Sequence, residues 1–123
     1  MLDPAIQKLL RSPLDTFEAL EVAVALVRAP GQALSLAELV RTTALTRDQV
    51  ALGIEELQEA ELAHAAGGLV RLAVDARDVA AYHALADLHA KDPSAIAMVL
   101  SELALEKIRK MTMAYANRKK DGA

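Results

Sequence analysis

His83 and Asp87 stand one helical turn apart, a spacing that brings an imidazole and a carboxylate to one helix face and could begin a divalent metal site. His89, six residues beyond His83, points away from that face, and His64 adds no third ligand, so the histidines read as surface or interface residues. The four serines, at 12, 35, 94 and 101, fall at helix starts or inside a helix. No Gly-x-Ser-x-Gly elbow or phosphate-cradling glycine loop surrounds them. Glu55 and Glu56 are neighbours on a helix exposed to water, where nothing raises a carboxyl pKa toward acid–base work. The chain has no cysteine, which excludes thiolate nucleophiles, thiolate metal sites and disulfides. The residues point to a protein that is not an enzyme and that uses no metal and no cofactor.

The chemistry that remains is charge. Residues 1 to 106 hold 8 Lys+Arg against 16 Asp+Glu, and residues 107 to 123 hold 6 against 1, so an acidic body of net −8 carries a basic tail of net +5. Affinity for DNA depends on cations that neutralise phosphates, so an acidic body must present them locally. The candidates are Arg41, Arg47, Arg71 and the tail residues Lys107, Arg109, Lys110, Arg118, Lys119 and Lys120.

These side chains must be held by helices. At 123 residues the chain has room for one domain with a helical extension. Its 54% apolar content is rich in alanine, with only Phe17, Tyr82 and Tyr115 aromatic, so the core must come from Leu, Val and Ile. The opening MLDPAIQK has an acid and a proline where a secretion signal needs a basic start and an apolar run. The longest apolar run, VAVALV at 22 to 27, is too short to span a bilayer. We expect a soluble cytoplasmic protein without a membrane partner.

Asp3-Pro4 starts a short helix that Ser12-Pro13 breaks. In DTFE, Asp15 is the expected cap with Glu18 three residues on, opening a helix that Pro30-Gly31 stops. SLAE pairs Ser35 with Glu38, and TRDQ pairs Thr46 with Gln49, as two further capping boxes. Gly67-Gly68 supplies the turn of a hairpin between AHAA and LVRLAV. Asp75 and Asp78 start a helix through ARDVAAYHALADLHA, and Asp92-Pro93 starts a last one.

The segment ALSLAELVRTTALTRDQVALGIEELQEAELAHAAGGLVRLAV resembles the winged helix-turn-helix domains of bacterial transcriptional regulators of the MarR and PadR groups. Ala37-Glu38-Leu39 matches their first helix, Leu45-Thr46 the turn, Val50, Ile54 and Leu57 the buried side of the recognition helix, and Leu62 the step into the wing. The resemblance covers residues 15 to 75. It implies a mainly α fold: three helices and a short β-hairpin wing, flanked by an N-terminal helix (1 to 14) and a two-helix C-terminal extension (76 to 123). It also implies double-stranded DNA as partner, with Arg41, Thr46, Arg47, Gln49 and Arg71 as the contacting residues.

Two features depart from those families. The wing offers Arg71 alone, and the outward face of the recognition helix carries Asp48, Leu52, Glu55, Glu56 and Glu59. An acidic surface around one leucine suits a protein-binding anchor, so the alternative is a winged helix that binds a protein partner and no DNA. The last helix has an apolar stripe, with Met98 and Leu105 on its opposite side, and a helix apolar nearly all round is buried on more than one face. Met98, Leu105, Ile108 and Met111 are therefore expected in a homodimer interface, the role that such helices have in the families resembled.

Overall fold

Each helix of this chain must satisfy the free N–H groups of its first turn, and side chains do so at most of the starts. In the computed structural model, which describes residues 2–121 and the side-chain surroundings through residue 114, Asp3 Oδ1 accepts from the Ala5 N–H at 2.8 Å and opens α1 (Pro4–Arg11). Thr16, and not Asp15, caps α2 (Phe17–Arg28), because its hydroxyl accepts from the Ala19 N–H at 3.2 Å. The Asp15 carboxylate is taken instead by the ammonium of Lys107. Pro30–Gln32 makes a single 3-10 turn, with Gly31 at φ 66°, and leads into β1 (Ala33–Ser35).

The next two starts follow the sequence expectation. Ser35 and Glu38 close a capping box on α3 (Leu36–Thr42), and Thr46 and Gln49 close one on α4 (Arg47–Glu59). Hydrogen bonds from the Ser35 backbone and then its hydroxyl hold the Glu38 carboxyl below its usual pKa. Between the two helices the Thr43 hydroxyl donates to the Leu39 carbonyl at 2.7 Å, and Leu45 is buried as the plug of the turn.

α4 ends in a Schellman motif: the Leu62 N–H reaches the Leu57 carbonyl at 2.8 Å, and the Glu61 N–H reaches that of Gln58 at 3.0 Å. Glu61 takes the left-handed conformation there, φ 61°. β2 (Ala63–Ala66) and β3 (Leu69–Leu72) then form the hairpin, joined by Gly67 and Gly68 at φ 61° and 79°, the positive pair that a tight primed turn requires. The sheet is antiparallel in the order β1-β3-β2, with Val70 opposite both Leu34 and Ala65.

Asp78 takes the N-cap position of the next helix as expected, whereas Asp75 starts no helix, a correction to the sequence reading: residues 75 to 78 form a turn. The Arg77 guanidinium binds Asp75 at 3.0 Å and, with the Arg77 N–H, keeps that carboxyl below its usual pKa. α5 (Val79–Lys91) follows, and Asp92 accepts from the Ala95 N–H to open α6 (Pro93–Asp121).

This is a mainly α winged helix-turn-helix with a helix before it and two after. α2 is its axis: Val22 through Val27 are all buried, as its apolar sequence requires, with α4 against one side and α5 against another. The buried side chains form one continuous cluster from Ile6 and Leu10 of α1 to Ile96 and Leu100 of α6. Among the described residues no helix is long and apolar enough to cross a membrane.

Candidate nucleic-acid interface

α4 is held by its inner face. Val50 and Leu57 are fully buried and Ile54 partly so, as its apolar spacing dictates. Gly53, between them, has a role that spacing alone did not reveal. A Cβ there would stand 2.6 Å from the Glu18 carbonyl oxygen and 2.8 Å from a Val22 methyl, so only glycine lets α4 lie this close on α2. A lone glycine inside a helical pattern was the available signal.

The expected contact residues divide into two groups. Arg41 and Arg47 are exposed and border one hollow of about 230 Å³ with Leu36, Ala37 and Val40, so the two cations of the helix-turn-helix are brought together beside the first turn of α4. Thr46 and Gln49 are bound to each other: the hydroxyl accepts from the Gln49 N–H at 3.2 Å, and the carboxamide oxygen accepts from the Thr46 N–H at 2.9 Å. Arg71 lies on β3 opposite Ala33, and its guanidinium donates to the Gly31 carbonyl at 3.0 Å, which ties the wing to the 3-10 turn. From His64 through Leu69 the hairpin is exposed and carries no Lys or Arg.

The outward face of α4 is acidic as expected, with one exception. Asp48, Glu55 and Glu59 are exposed around Leu52, which is itself 45% accessible. Glu56 is partly buried, and its carboxylate accepts the hydroxyl proton of Thr16, so it belongs to the α2–α4 junction and not to the free face.

Met98, Leu105, Ile108 and Met111 are exposed, at 58 to 72% accessibility. Ile96 and Leu100 bury the inner side of α6, Val99 and Leu103 partly so, and from Ala104 onward every described side chain is exposed. Lys107 pairs with Asp15 and Lys110 with Glu106, while the side chains of Arg118, Lys119 and Lys120 lie outside the described residues.

The histidine constellation does not assemble. His83 and Asp87 are exposed, His89 pairs with Glu21 of α2 at 2.8 Å, and among the described residues no three metal-ligating side chains come together. Phe17, Leu20, Pro93, Ile96 and the Glu21–His89 pair border a cavity of about 480 Å³ between the start of α2, the turn after α3 and the start of α6.

No protein-family model and no curated protein matches the sequence. Among solved structures the chain is similar to Bordetella bronchiseptica BpsR, a protein whose DNA binding is regulated by 6-hydroxynicotinic acid. The identity is 23% and the TM-score 0.45, over 94% of this chain and 83% of that one.

Proposed function

We propose that the protein is a double-stranded DNA-binding transcriptional regulator of the winged-helix type, a cytoplasmic homodimer that performs no catalysis. The observation that carries the reading is the placement of Arg41 and Arg47 beside one hollow at the N-terminal end of α4. That end is the part of a recognition helix that enters the major groove in helix-turn-helix docking, while the preceding helix crosses the backbone. Arg41 on α3 is then a phosphate contact and Arg47 a contact to base edges. Arg71, steadied by Gly31, extends the footprint along the wing. A dimer doubles it, and the exposed apolar residues of α6, Met98, Leu105, Ile108 and Met111, supply the surface on which a second copy packs.

A second reading keeps the fold and replaces the partner. Leu52, exposed and bordered by Asp48, Glu55 and Glu59, favours a protein with a basic apolar surface. A selection for duplex fragments bound by the full chain, run near physiological salt where nonspecific association is weak, separates the two. An enriched palindromic site supports the regulator. Recovery of no enriched sequence removes that reading and leaves the protein partner.

A further inference from the structure

Two of the residues best placed to read bases in α4 are already committed to the helix itself. A carboxamide recognises adenine by offering its oxygen to the amino group and its nitrogen to N7 together. The oxygen of Gln49 is turned back onto the Thr46 N–H, 2.9 Å away, and the Thr46 hydroxyl is turned back onto the Gln49 N–H. Freeing either for a base would leave a first-turn N–H of α4 without its partner. Arg47, by contrast, makes no hydrogen bond or ion pair among the described residues, is exposed, and keeps its whole guanidinium fork available.

The outward surface beyond Arg47 is graded. Asp48 and Ala51 are exposed beside it, Leu52 follows about 7.5 Å on and roughly 140° round the helix, one turn beyond Asp48, and Glu55 and Glu59 lie roughly 12 and 18 Å along the axis from Arg47 at 1.5 Å per residue. A helix entering the groove by its first turns brings the arginine and the leucine to the bases and leaves the last two carboxylates toward its outer end. Accepting the DNA reading above, on which this rests, we propose that Arg47 is the one donor from α4 to a base edge. It takes a guanine through O6 and N7, and Leu52 seats against a thymine methyl group. Thr46 and Gln49 are positioning residues that hold the helix end and read nothing.

The test uses the full chain and the site recovered by the selection. Arg47→Ala should weaken binding to that site between about fivefold and 150-fold, the range of one good bidentate pair. The preference for guanine at one position of each half-site should be lost with it. Replacing that guanine by 7-deazaguanine should weaken the unmutated protein and leave Arg47→Ala unaffected. Replacing the neighbouring thymine by deoxyuridine should do the same with respect to Leu52→Ala. Gln49→Glu retains the capping box, so it should lower affinity for all sequences alike and leave the ranking of bases unchanged. A ranking that changes with Gln49→Glu and not with Arg47→Ala, circular dichroism being unaltered, overturns the inference while the DNA reading stands. Recovery of no site overturns both.

Discussion

Thr16 and Glu56, 40 residues apart in sequence, share one hydrogen bond that joins the first turn of α2 to the last turns of α4. The same threonine oxygen accepts from the Ala19 N–H, so a single hydroxyl caps one helix and fixes the other. Thr16→Ala should cost about 1 to 2 kcal/mol from the cap alone. Thr16→Ser should stay close to the parent, and a double-mutant cycle with Glu56→Ala should show a coupling of at least about 0.5 kcal/mol. Urea unfolding measures all three, and an additive cycle would discard the junction.

Gly53→Ala sets two effects against each other. Alanine favours a helix interior by about 1 kcal/mol over glycine. The added methyl meets the Glu18 backbone oxygen at 2.6 Å, and backbone cannot swing aside as the end of a side chain can. Overpacking of this kind costs about 1 to 3 kcal/mol, so the net change is destabilising. A raised urea midpoint would contradict the close approach of α4 to α2.

Glu61→Gly should stabilise the fold by about 1 kcal/mol, since a non-glycine residue in the left-handed region costs roughly 1 to 2 kcal/mol and glycine is the usual residue at this position of a Schellman motif. Thermal unfolding reads the shift, and an unchanged or lowered midpoint would speak against the motif.

Tyr82 gives a pH dependence. Burial, and after it the charge of Asp78, pushes its hydroxyl up to about 12. The folded state thus holds this proton more tightly than the unfolded chain, which releases it near 10. The resulting stability is complete below pH 10 and is lost as pH rises toward 12, by up to about 2 kcal/mol. Tyr82→Phe should lack this loss, so unfolding curves of the two proteins should differ progressively between pH 10 and 12. Parallel curves would refute the shift.

Leu105→Glu tests the dimer. If α6 packs against a second copy, a carboxylate at the centre of its exposed apolar residues should give a monomer by sedimentation. The circular dichroism should stay intact, because Leu105 is 58% accessible within one chain. A parent protein already monomeric at tens of micromolar would end the dimer proposal.

Much of the fold was legible because its determinants are local. The Ser35–Glu38 and Thr46–Gln49 boxes close within four residues, and Gly67-Gly68 makes the wing turn without help from afar. What escaped was decided at long range. Asp15 and Thr16 are both competent caps, and the aspartate is drawn off by Lys107, 92 residues along the chain. Glu56 has the position of a free acidic residue, yet Thr16 withdraws it from that face. Thr46 and Gln49 fit two roles in the sequence, as caps and as DNA contacts, and the structure bears out the first.

From Ala104 through Ala114 the side chains of α6 are exposed, and in a dimer assembled on that stretch the helix is a ruler. Each residue inserted after Leu103 would shift each copy's winged domain by about 1.5 Å along α6 and turn it by about 100° relative to Leu105, Ile108 and Met111, from the pitch of the α-helix, and in a symmetric dimer both copies shift together. Half-sites on B-DNA recur every 34 to 36 Å along one side of the duplex, roughly one turn. The register of protein on operator would then be written in the length of a segment that touches no base, and an insertion of four residues, close to one helical turn, would alter the preferred spacer far more than the angle.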